Sequence, residues 1–150
     1  MDCPYYEQLM YVGDTRIEML VNHVMSKDSR LTKRCIELFD WSRYSTGYVM
    51  ERYPSHEQQL SLTFSLIWPL LVRDFALWRN DKKWVQARMV GMRCMMENMR
   101  IYRNSQGLLE NLPGWSFLDW VPTWHLGMHP DLEVAPSSII NLFYVLALDL

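Results

Sequence analysis

The sequence carries little of what marks a membrane protein, a nucleic-acid binder or a disulfide scaffold. It has three cysteines, Cys3, Cys35 and Cys94, odd in number and widely spaced, a pattern that indicates neither a disulfide framework nor a zinc module. A reduced compartment, the cytoplasm included, is compatible with it. No charge of one sign dominates, since 15 Lys and Arg stand against 17 Asp and Glu for a net charge of -2. That balance offers no electrostatic footprint for nucleic acid or an anionic membrane. No basic segment followed by an apolar stretch opens the chain, so no signal peptide is read. The longest apolar run, Leu60 to Val72, is too short to span a bilayer and meets Arg73 and Asp74 at once. With 49% hydrophobic and only 21% charged residues the chain is not disordered. No linker, repeat or low-complexity tract divides it, and residues 1–150 read as one unit.

What is abundant is aromatic and sulfur-bearing: 7 Trp, 8 Tyr and 11 Met. Such side chains fill cores, and aromatic faces also stack on the apolar faces of pyranose rings. Apolar residues recur at helical spacing through most of the chain. Thr15-Arg16-Ile17-Glu18 has capping-box spacing behind Asp14, and a helix over about 15–26 should turn Ile17, Leu20, Val21, Val24 and Met25 to one face. A second helix, about 29–43, carries Leu31, Cys35, Leu38 and Phe39, and the short Lys27-Asp28 join makes the two antiparallel. The third, about 60–79, is apolar nearly all round and should be kinked by Pro69. After Asn80-Asp81, a helix over about 82–104 bears the stripe Val85, Met89, Met92, Met96 and Met99, which suits coiled-coil-like packing and, less simply, a methionine-lined groove. Residues 107–136 hold four prolines and three Trp and are too long for a simple connection. A last helix begins near Ser137-Ser138 and carries Ile139, Leu142, Phe143 and Leu146. No strand pattern is convincing, so the expected class is all-α, about five helices in antiparallel hairpins.

His125 and His129 stand four apart, as two zinc ligands on one helix face would, but Gly127 and Pro130 argue against a helix there. No metal or cofactor is implied, and neither His23 nor His56 has a nucleophile partner in the sequence. The chemistry-bearing stretch is Asp2-Cys3-Pro4-Tyr5-Tyr6-Glu7-Gln8-Leu9-Met10-Tyr11-Val12-Gly13-Asp14, three carboxylates in a Pro- and Tyr-rich loop entering a helix. Its plain reading is a helix cap at Asp14, a frayed end at Asp2 and a solvated Glu7.

The same stretch resembles the signature of the inverting α-L-rhamnosidases, in which Asp-Cys-Pro leads to a catalytic Glu and then to aromatic-X-Gly-Asp. Two further stretches agree in order: Arg52-Tyr53-Pro54-Ser55 with Phe64-Ser65-Leu66-Ile67-Trp68, and Gly114-Trp115-Ser116-Phe117-Leu118-Asp119-Trp120. The family's usual Arg before the catalytic Glu is here Tyr5 or Tyr6, and Gln8 stands where a second Arg is common. The resemblance implies an (α/α)6 barrel of six helical hairpins, of which this chain would be a partial domain. It implies Glu7 as general acid, Asp2 and Asp14 holding hydroxyls of the sugar, and Tyr11 in an aromatic wall. Asp119 would bind hydroxyls beside Trp115 or Trp120, for which a Trp-capped core turn is the alternative. The substrate class would be α-L-rhamnosides.

By the same resemblance the catalytic base is a Glu beyond residue 150, so the chain alone is expected to be a fragment and inactive. Five helices should fail to enclose the third, leaving some of Leu62, Phe64, Leu66, Leu70 and Phe75 exposed and prone to self-association. Two other readings keep the same residues: a non-catalytic carbohydrate-binding or interaction fragment, and a different six-hairpin glycosidase or lyase.

Overall fold

A computed structural model of the chain describes residues 3–43, 45–133 and 135–149. It is all-helical. The helices are α1 (Val12–Met25), α2 (Arg30–Trp41), α3 (Leu62–Arg79), α4 (Lys82–Met99) and α5 (Ser138–Leu148). Single 3-10 turns follow α4 and interrupt the long loop before α5. Extended pairing among the described residues is confined to isolated bridges, and no helix there is long and apolar enough to cross a membrane.

Helix starts follow local chemistry where a short polar side chain stands at the cap. Ser61 Oγ accepts from the Phe64 N–H at 3.4 Å, Asp81 Oδ1 from Trp84 N–H at 3.2 Å and Ser137 Oγ from Ile140 N–H at 3.3 Å. Asn80, at φ 52°, ends α3 in the left-handed conformation and turns the chain into α4. The capping box read at Thr15 does not form. Helix α1 starts three residues earlier, Asp14 lies inside its first turn, and the Thr15 hydroxyl is buried without a partner. The cause is tertiary: Glu51 C=O accepts the Val12 N–H at 2.9 Å, satisfying a helix-start donor that a side-chain cap would otherwise take.

Helix α3 runs through Pro69 at the centre, packed against α1, α2, α4 and α5. Its residues from Leu62 to Val72 are buried, as are Asp74 and Phe75. The expected exposure of Leu62, Phe64, Leu66, Leu70 and Phe75 is therefore corrected, because four helices suffice to cover this one. From α4 the core takes Met92, Met95, Met96 and Met99, so the methionine stripe is packing. Trp68 donates its indole N–H to Ile36 C=O at 3.2 Å, which lets a large polar-tipped ring be fully buried.

The apolar stripes of α1 and α5 face the other way from that expected. Helix α1 buries Val12, Thr15, Met19 and His23, while Ile17, Val21, Val24 and Met25 are exposed. On α5 it is Ile140, Asn141, Tyr144 and Ala147 that turn inward, leaving Leu142, Val145 and Leu146 outside. Leu31 on α2 is likewise exposed. Periodicity identifies a stripe but not its partner, and these stripes face away from α3. The protein is expected to bind a hydrophobic dye through them. Val21→Glu combined with Val145→Glu should reduce dye fluorescence while moving the melting temperature by no more than a few degrees. Unaltered fluorescence in the double variant would place the apolar surface elsewhere.

Candidate active site

The N-terminal stretch is a tight turn. Cys3 C=O accepts the N–H groups of Glu7 at 3.1 Å and Gln8 at 3.0 Å, and the Gln8 side-chain amide donates to Tyr5 C=O at 2.8 Å. This folds the Pro4-Tyr5-Tyr6 segment outward and brings the half-buried Glu7 back toward α1. The chain then runs antiparallel to residues 51–53. Tyr53 N–H donates to Met10 C=O at 3.1 Å, Tyr11 bridges Arg52, and the Arg52 guanidinium reaches the Tyr11 hydroxyl at 3.4 Å. Two segments forty residues apart thus lock together where α1 begins.

Gly13 packs closely there. A Cβ at this position would come within 3.1 Å of the Phe64 ring. The long loop docks on the other side, where Trp115 N–H donates to Leu60 C=O at 2.9 Å. Gly114 permits that approach, with φ +82° and a hypothetical Cβ only 2.4 Å from the Leu60 oxygen. Trp115 is held by its indole N–H on Leu126 C=O at 3.0 Å. Its ring joins Phe117 and Trp120 in one cluster, with centroids 4.6 to 5.9 Å apart, and Phe64 meets Phe117 edge-on at 5.6 Å. Asp119 Oδ1 accepts the Trp120 N–H at 2.7 Å, which orients an exposed carboxylate beside an indole that is 68% exposed.

These elements enclose a cleft of about 550 Å³, within the range of small-molecule sites. Glu7, Tyr11, Asp14, Trp115, Asp119 and Trp120, all singled out in the sequence, line it together. Asp2, also singled out, lies outside the described residues. A smaller cavity of about 260 Å³ at the start of α5 is lined, among the described residues, by the carboxyl of Glu110, which is already bonded to Asn104.

The cleft also contains residues that the sequence did not reveal as site residues: Arg16, Glu51, Phe64, Phe117 and Phe143 among them. Arg16 is tied back by its ion pair with Asp74 at 2.8 Å. Glu51 is the surprise. It is 1% exposed, and its Oε2 has no hydrogen-bond partner. Burial pushes its carboxyl up from the ordinary 4.5 to about 7, with Arg52 opposing the shift and Asp14 adding to it. The only sequence signal was its place directly before Arg52-Tyr53-Pro54-Ser55.

One wall of this cleft is therefore carboxylate and the other aromatic, an arrangement suited to a polyhydroxylated ring with one apolar face. A family model, the bacterial alpha-L-rhamnosidase six-hairpin glycosidase domain, matches residues 1–150. The chain belongs to that family. Among solved structures it is similar to the GH78 family rhamnosidase of Bacillus sp. GL1, with a TM-score of 0.85 and 27% identity. That match covers 99% of this chain and 15% of the Bacillus chain, so the sequence spans a small part of that rhamnosidase. No curated protein matches. The five helices are accordingly part of a six-hairpin helical toroid of the rhamnosidase type.

Glu51 gives this part of the toroid a pH signature. The unfolded chain ionises this carboxyl near 4.5 and the folded chain only near 7, so between them the folded state holds the extra proton. Stability that is complete below pH 4.5 is lost as pH rises toward 7, by about 3 kcal/mol. Glu51→Gln should gain on the wild type in melting temperature across that window and match its trend outside it. Parallel melting curves for the two proteins from pH 4.5 to 7 would exclude a raised Glu51.

Proposed function

We propose that this domain takes part in releasing terminal α-L-rhamnose from rhamnosides by an inverting general acid/base reaction, with Glu7 as general acid. The observation that carries the reading is the gathering of Glu7, Tyr11 and Asp14 with Trp115, Asp119 and Trp120 in one cleft, although a hundred residues separate the two groups. Family membership supports it, as does the similarity to the Bacillus rhamnosidase.

The chemistry asks for these residue types. Inverting cleavage needs one carboxylic acid to protonate the leaving oxygen and a second carboxylate to activate water on the opposite face, about 6.5–9.5 Å away. Glu7 supplies the proton. Asp14 and Asp119 hold ring hydroxyls, Asp2 does so by the signature, and Tyr11, Trp115 and Trp120 pack against the sugar. The base belongs to a later helix of the toroid, as the family resemblance implies, and residues 1–150 act as one partial domain of the barrel. No cofactor enters this scheme.

In the complete six-hairpin barrel Glu7→Gln preserves shape but removes the transferable proton, and should lower hydrolysis of a natural rhamnoside by about 10²–10⁴. An aryl rhamnoside with a very good leaving group should lose far less. Turnover of the natural substrate at the wild-type rate would take the acid role away from Glu7.

Asp14→Ala and Asp119→Ala should each weaken L-rhamnose binding and turnover, because hydroxyl contacts tighten as the ring flattens toward the transition state. Calorimetric titration with L-rhamnose measures the first effect. Equal affinities in wild type and both variants would return these residues to helix-turn and loop roles.

A further inference from the structure

The carboxyl of Glu51 is left without an assignment by the mechanism above, and its surroundings do not explain it. Its backbone is fully engaged: the N–H donates to Gln59 C=O at 2.8 Å and the C=O accepts from Val12 at 2.9 Å. These bonds hold the backbone of residue 51 beside the cleft. The side chain lines the cleft, is almost wholly buried, and leaves Oε2 with no donor and no acceptor. Buried polar atoms are almost always paired, because an unpaired one carries its full desolvation cost. Arg52 is the charge that opposes the upward shift of its pKa, but among the described residues no hydrogen bond joins it to Glu51 Oε2. Its neighbour Arg52 points its guanidinium toward the Tyr11 hydroxyl, and Arg16 is committed to Asp74.

We propose that Glu51 is a further substrate-contacting residue of this cleft, whose buried carboxyl oxygen is satisfied by one ring hydroxyl of the bound sugar, next to Asp14. This inference rests on the rhamnoside reading of the cleft and adds a residue to it. A sugar hydroxyl is the right occupant. It is neutral, it both donates and accepts, and it can therefore pair with a carboxyl that burial keeps protonated. A cation would be drawn to Asp14 as well and would lower rather than tolerate a raised carboxyl pKa.

The protonated form gives the contact a pH dependence. In this contact the protonated carboxyl donates to the hydroxyl oxygen. With the carboxyl titrating near 7, the neutral fraction able to donate falls about tenfold between pH 6 and pH 8, and apparent affinity falls with it. Glu51 shares this space with Glu7 from the N-terminal turn, Asp14 and Arg16 from α1, Arg52 on its own loop and Asp119 on the long loop. Tyr11 also lines the cleft, and among the described residues α3 and α5 contribute Phe64, Ile67 and Phe143 to it, which do not titrate. All the charged neighbours are retained in Glu51→Gln, so their titration cancels in a comparison of the two proteins.

The test is calorimetric titration of the complete six-hairpin barrel with L-rhamnose and with its 2-, 3- and 4-deoxy derivatives, for wild type, Glu51→Gln and Glu51→Ala, at pH 6 and pH 8. Glu51→Ala should bind L-rhamnose about tenfold more weakly at pH 6, and Glu51→Gln, which keeps a donor and an acceptor, within about threefold of wild type. Wild type should weaken toward pH 8 by up to about tenfold while Glu51→Gln stays level. Against one deoxy derivative, the one lacking the hydroxyl that Glu51 holds, the Glu51→Ala loss should vanish. A purely structural role would penalise all the derivatives alike. Wild type that binds L-rhamnose with the same affinity and pH profile as Glu51→Gln and Glu51→Ala overturns the Glu51 proposal alone. So does an alanine loss of the same size for every derivative. Wild type that does not bind L-rhamnose overturns the rhamnoside reading and this inference with it.

Discussion

A helix with no polar face must be covered on every side, and the burial of α3 organises this domain. From Leu62 to Val72 no residue of α3 faces solvent, and that demand draws α1, α2, α4 and α5 around it. The covering helices then set the site. Phe64, on the first turn of α3, fills the space over Gly13 and meets Phe117 from the long loop. One core side chain thereby spaces the acidic N-terminal segment from the aromatic loop, and the gap between them is the cleft.

The two walls are held by different forces. The acidic wall is fixed by backbone hydrogen bonding, through the antiparallel contact of residues 10–12 with 51–53 and the turn around Cys3. The aromatic wall is fixed by ring packing and by the single approach of Trp115 to Leu60. Backbone bonds place carboxylates to within a rotamer, which proton transfer and hydroxyl recognition both require. Ring clusters tolerate more adjustment, which suits stacking on a sugar face. Glu51 belongs to the acidic wall for the same reason: its own peptide forms part of the antiparallel contact.

Exposed apolar stripes on α1 and α5 are consistent with helices that have further neighbours in a toroid. Each buries one face against α3, and neither buries the stripe that its sequence period displays most clearly. The inward face of α1 includes the polar Thr15 and His23, both without hydrogen-bond partners for their buried side-chain atoms. Amphipathicity in such a helix records two interfaces at once, and the stronger apolar signal belongs to the one away from α3.

The helical class, the turn from α3 into α4 at Asn80-Asp81, the start of α5 near Ser137-Ser138 and the apolar character of α3 are legible in the sequence, because these follow from local propensity and spacing. Its motif also named six cleft residues, since a signature conserves chemistry in chain order. The start of α1, where a carbonyl from residue 51 replaced the side-chain cap, and the outward direction of Ile17, Val21, Leu142 and Leu146 came from tertiary packing. It alone revealed Glu51. A carboxyl becomes unusual through what surrounds it, and what surrounds Glu51 comes from α1, α3 and a loop sixty residues downstream. Desolvation is a property of the assembled neighbours, and no spacing along a chain encodes it.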